Sequence, residues 1–114
     1  MGVYVKGKEL REEIVKCKEK GELSPLAIEY FMMMTDRFSY KFSYKNPMDR
    51  EDCKSAAMED LLRYWKGYNP VKSYNAFAYY TQIIKNGFAK GWRHLHPMPS
   101  ALYTSTSYGD LYSL

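Results

Sequence analysis

The chain has 114 residues and a mass of 13.4 kDa, enough for one domain and a short appendage. Hydrophobic residues at 46% and charged residues at 26% fit a soluble globular protein; no run approaches the ~18 apolar residues of a membrane helix, and the opening residues hold too short an apolar stretch for a secretory signal. The two cysteines, Cys17 and Cys53, are far apart and in no CxxC, which excludes a disulfide framework and a cysteine zinc site and fits a reducing cytoplasm.

The elements read as helices throughout. Residues 6–21 form an amphipathic helix with Leu10, Ile14 and Cys17 on one side and Gly21 as its stop. Ser24-Pro25 supplies an N-cap and a proline for the first helical position of a second helix. That helix is apolar nearly all round, including Met32, Met33 and Met34, which predicts a central core element with methionines as gap-fillers. Its helicity should fade near residues 38–44. Asn46-Pro47 opens a third helix with Asp49, Glu51 and Asp52 in its first turns. The expected core face is Cys53, Ala57, Leu61, Tyr64 and Tyr68, while Asp52, Ser55, Glu59 and Lys66 face away.

A turn at Gly67-Tyr68-Asn69-Pro70 leads to a fourth helix, capped by Ser73 and running to about Trp92. Phe77, Ile84 and Phe88 share one stripe, with Tyr80 and Ile83 beside it. Gly87 and Gly91 imply close packing or an early end. The chain is thus expected to be all-α, with about four helices over residues 1–95. Residues 96–114, rich in Ser, Thr, Tyr and Gly, are expected to form a flexible tail that closes in an acidic-hydrophobic peptide suited to docking.

Charge is unevenly distributed. The net charge is +4, yet residues 1–60 carry 11 basic and 12 acidic residues, whereas residues 61–109 carry six basic residues and no acid. That acid-free segment also holds Tyr64, Trp65, Tyr68, Tyr74, Phe77, Tyr79, Tyr80, Phe88 and Trp92. Basic charge interleaved with aromatics suits a surface that neutralises phosphates and stacks bases; an aromatic core beneath a basic face is the other reading. The sequence has no HExxH, GxSxG, P-loop or GxGxxG, and His94 and His96 read as a surface pair. No enzyme activity, cofactor or metal is expected.

The segment 50–92 has a more specific order. Its acidic helix with Glu51, Asp52 and Glu59 is followed by an aromatic turn at Tyr68, and then by Tyr74, Phe77, Ala78, Tyr80 and Thr81. This resembles region 2 of sigma-70-family transcription initiation factors. Lys8-Glu9-Leu10, Leu26-Ala27-Ile28, Arg37-Phe38, Met58-Glu59 and Ala78-Tyr79-Tyr80-Thr81-Gln82 occur in an order similar to that of the compact late-transcription sigma factors of T-even-type bacteriophages, over roughly residues 8–95. The 68–74 turn is about two residues shorter than in the general family, Tyr80 and Thr81 replace its paired tryptophans, and Ala56 and Met58 replace polar residues. A second helix-turn-helix domain is not expected within these residues.

The resemblance implies a phage late sigma factor that binds the host RNA polymerase core in the host-cell cytoplasm, on the nucleoid, and melts an A/T-rich −10-like promoter element. Tyr68, Tyr74, Phe77 and Tyr80 would then capture unstacked bases. Lys72, Lys85, Lys90 and Arg93 (with Lys66) would follow the phosphates, and Tyr79 and Gln82 would contact the duplex edge. Glu51, Asp52, Ser55, Met58, Glu59 and Leu62 resemble the family's docking surface for the coiled coil of the largest polymerase subunit. Asp110, Leu111, Tyr112 and Leu114 resemble its sliding-clamp peptide; a late co-activator is a further implied partner, and a membrane is not. Two other readings compete: a stand-alone helix-turn-helix DNA-binding regulator, and a helical scaffold or adaptor whose aromatics are simply core.

Overall fold

The computed structural model describes residues 5–73 and 75–97. Tyr74 and the proposed peptide Asp110, Leu111, Tyr112 and Leu114 lie outside the described residues, as does the expected tail from residue 98 onward. The described part is all-α: α1 (Gly7–Lys20), α2 (Pro25–Ser39), α3 (Pro47–Tyr64), a 3-10 turn (Trp65–Gly67) and α4 (Ala76–Leu95).

The helix ends follow local chemistry. Gly21 takes a left-handed conformation (φ 83°) and closes α1 with its N–H on the Cys17 carbonyl. The Ser24 hydroxyl accepts from the Ala27 N–H at 3.1 Å and donates to Glu13 at 2.5 Å, so one side chain caps α2 and ties it to α1. Asn46 caps α3 by accepting from the Met48 N–H. The fourth helix differs from expectation at both ends. Asn75, not Ser73, is its cap, accepting from the Ala78 N–H at 2.9 Å, because the Ser73 carbonyl and N–H are engaged in closing the preceding loop. It then continues past Trp92 to Leu95.

The α3–α4 pair packs most closely. Gly87 and Gly91 present bare backbone to Ala57 and to Cys53 and Ala56, which settles their role as close packing rather than helix termination. Asp60, nearly buried, receives the Lys90 ammonium at 2.7 Å across the same contact. Leu10, Ile14 and Cys17 of α1 join Phe31 of α2, Leu61 of α3 and Tyr80, Ile84 and Phe88 of α4 in one core. Two aromatic groups fill it, one around Phe31, Tyr68, Tyr79 and Tyr80 and the other around Phe38, Phe42 and Phe88.

Two core assignments change. Trp65 is buried and Tyr64 exposed, because tightening into the 3-10 turn rotates the tryptophan inward. The second helix is a flank rather than a central element: Met34 is buried and Met33 half-buried, but Met32 is 56% exposed and Leu26 41%. One of its apolar sides has no cover among the described residues.

Candidate docking groove and nucleic-acid face

The uncovered side of α2 faces the outer side of α3 across an open groove of about 1110 Å³. From α2 come Leu26, Glu29, Met32, Met33 and Asp36; from α3 come Glu51, Ser55, Met58, Glu59 and Leu62. The α3 residues fall at i, i+4, i+7, i+8 and i+11, one helical stripe. Five of the six residues assigned to polymerase docking therefore line one groove. Asp52 does not: one residue past Glu51, it is turned ~100° around the helix and projects to solvent.

The groove has an apolar floor and an acidic rim. Met58 forms part of the floor, its sulfur 3.5 Å from the Thr35 hydroxyl. Four carboxylates (Glu29, Asp36, Glu51, Glu59) face one lysine, Lys54. That lysine pairs with Asp36 at 2.8 Å and lies 3.7 Å from Glu51, while Arg50 bonds both acids at 3.1 Å. This network locks one end of the groove and partly neutralises Glu51. Glu29 and Glu59 make no ion pair among the described residues, so the rim keeps a negative field. The α2 contribution escapes a reading of α3 alone; the signal in the sequence was a helix apolar on more sides than its neighbours can cover.

The nucleic-acid residues divide differently. Tyr68 and Tyr80 are both at 0% exposure. Tyr80 donates its hydroxyl to the Trp65 carbonyl at 2.8 Å, and Tyr68 donates to the Ser73 carbonyl at 2.7 Å. Their rings pack against Tyr79, tilted for Tyr68 and edge-to-face for Tyr80, and Tyr80 also meets Phe31 at a tilt. Burial, assisted by neighbouring Tyr79, Tyr68 and Cys17, pushes the Tyr80 phenol well above its ordinary range. Neither ring offers a free face to a base in this fold, which corrects their assignment as capture residues. Tyr79 is half-buried against Tyr68 rather than fully outward.

Phe77 goes the other way: it is 41% exposed in the first turn of α4. With Thr81 and Ile84 it lines a cavity of about 380 Å³, completed on the α2 side by Met34, Arg37 and Lys41. None of the cavity's lining residues is acidic, and its size lies within the ≈300–1,000 Å³ of small-ligand sites. Arg37, Lys41 and Thr81 were not among the expected site residues; only the Phe77 stripe pointed here. Lys72, Gln82 and Arg93 are exposed and Lys85 is half-buried. The Lys90 charge is largely committed to Asp60, which weakens its assignment to a phosphate track. His96 stacks on Trp92 at 4.1 Å and bonds Asp49, a helix-end contact.

No helix among the described residues is long and apolar enough to cross a membrane. No protein-family model matches this chain, and neither a curated protein nor a solved structure matches it.

Proposed function

We propose that this chain is a transcription-initiation adaptor of the sigma kind, which docks on bacterial RNA polymerase through the α2–α3 groove and brings α4, a helix with no acidic residue of its own, to an A·T-rich promoter element. The observation that carries this reading is the coincidence of the Glu51, Ser55, Met58, Glu59 and Leu62 stripe with the uncovered apolar side of α2. A groove with an apolar floor and an acidic rim complements an amphipathic basic helix, the chemistry of the proposed polymerase coiled coil.

The promoter side would work through Phe77 and the cavity beneath it. An aromatic face contributes ~1–3 kcal/mol per stacked base, comparable to the cost of unpairing one. Arg37 and Lys41 at the same cavity, with Lys72, Lys85 and Arg93, would hold the backbone. The protein would do no chemistry itself and would lend base capture to the polymerase. In this reading the source is a bacteriophage, the compartment the host cytoplasm, and Asp110, Leu111, Tyr112 and Leu114 couple the complex to a sliding clamp.

Burial of Tyr68 and Tyr80 favours a second reading, a helical adaptor that uses the groove but not DNA. Promoter DNA binding measured with and without bacterial core polymerase separates the possibilities. The sigma-like reading requires weak binding by the chain alone and tight, sequence-dependent binding with polymerase. Strong duplex binding by the isolated chain would support the stand-alone regulator, and no DNA binding in either state would support the adaptor.

A further inference from the structure

We propose that residues 69–73 form a rigid loop whose tip, Val71, wedges into a base step of the promoter as it opens; this rests on the reading that the chain presents this end to DNA. Val71 is 92% exposed, more than any other large hydrophobic residue described. An exposed valine alone is unremarkable in a surface loop. The construction beneath it is the informative part.

Asn69 accepts from the Val71 N–H at 2.9 Å and from the Lys72 N–H at 3.3 Å through its side-chain oxygen, and its carbonyl accepts from the Ser73 N–H at 3.0 Å. The buried Tyr68 donates to the Ser73 carbonyl across the base of the loop. From α1, Lys18 donates to the carbonyls of Lys66 and Tyr68 at 2.8 and 2.9 Å, anchoring the approach. The loop is thus held from both sides while its tip is left open by the described residues.

A valine has few side-chain rotamers, and a pre-closed loop has little backbone freedom left to lose, so insertion carries a small ordering cost. Apolar side chains inserted between base pairs unstack and kink a duplex, and such wedges need cations nearby to hold the strained backbone. In sequence, Lys66 and Lys72 lie on either side of the tip, and the chain has no acid between residues 61 and 109. In sequence the loop precedes α4 by a few residues, and Phe77 is the second residue of that helix.

The test uses the full chain bound to bacterial core polymerase on a promoter carrying 2-aminopurine in its A·T-rich element, with Val71→Ser and Val71→Leu. Because Val71 has no core contact, both variants should fold and bind polymerase as the wild type does. Val71→Ser should open the duplex about tenfold more slowly and Val71→Leu near the normal rate, since a kink of this kind costs a few kcal/mol. On a pre-melted template the Val71→Ser defect should vanish. Normal opening by Val71→Ser, or a defect that persists on the pre-melted template, would overturn the wedge while leaving the sigma-like reading standing. Absence of polymerase-dependent promoter binding by the wild type would overturn both.

Discussion

Gly87 of α4 lies directly against Ala57 of α3: a Cβ added at Gly87 would sit 2.6 Å from the Ala57 Cα and 3.1 Å from its backbone nitrogen. Gly87→Ala should gain about 1 kcal/mol of helix propensity but lose more by forcing two backbones apart, for a net destabilisation of roughly 1–2 kcal/mol. Gly91, whose nearest contacts would be 3.2 Å, should tolerate alanine better. Urea unfolding of the two variants checks the order.

The Asp60–Lys90 pair crosses the same interface asymmetrically, with the carboxylate side chain 7% exposed and the lysine 50%. Lys90→Met should destabilise by roughly 1–3 kcal/mol because it strands a buried anion. Asp60→Asn keeps an acceptor for the lysine and should cost less than about 1 kcal/mol. Equal effects in thermal unfolding would mean that stranding the Asp60 carboxylate carries no extra cost.

Phe77 and Tyr80, three residues apart, should respond in opposite ways. Tyr80→Phe removes a buried donor and leaves the Trp65 carbonyl without it, destabilising by about 1–2 kcal/mol. Phe77→Ala, on a half-open surface, should cost under about 1 kcal/mol of stability yet impair polymerase-dependent promoter opening. Unfolding midpoints measured alongside 2-aminopurine opening assays separate the two.

Alkali should weaken the fold. Burial, with Asp49 and Asp52 nearby, pushes the Cys53 thiol from 9.0 up to about 12. Well below pH 9 the thiol is neutral in both states; from about 9 to 12 it ionises mainly in the unfolded chain, so stability should fall by up to roughly 1.4 kcal/mol per pH unit. Tyr44 and Tyr80, also raised chiefly by burial, should add to the loss above pH 10. Urea midpoints from pH 7.5 to 10.5 should decline, and Cys53→Ala should reduce the slope.

The helix framework was legible because its signals are local. Ser24-Pro25, Gly21 and Asn46-Pro47 act on N–H and carbonyl groups within a few residues, so their roles follow from sequence. Ser73 and Asn75 are both competent caps, and the choice depended on Tyr68 drawing Ser73 into the loop, a contact between residues not yet known to meet.

The site was legible in part, for a similar reason. Periodicity put Glu51, Ser55, Met58, Glu59 and Leu62 on one stripe, but it could not reveal that α2 would complete the groove with Leu26 and Met32. Nor could it say where the α4 core stripe ends. Tyr80 and Phe88 are covered by Phe31 and Phe38, whereas Phe77, in the first turn of the helix, reaches beyond that cover into the cavity.

The most direct measurement is the affinity of bacterial core polymerase for the wild-type chain and for a Met32→Lys, Glu59→Lys, Leu62→Lys variant, read by fluorescence anisotropy with folding verified by circular dichroism. All three side chains are exposed, so the variant should stay folded. If the groove docks polymerase, binding should fall by about a hundredfold or more, the loss of two apolar contacts and a charge reversal. A folded variant that binds as tightly as the wild type, or a wild-type chain that does not bind at all, would contradict the groove as a polymerase-docking surface.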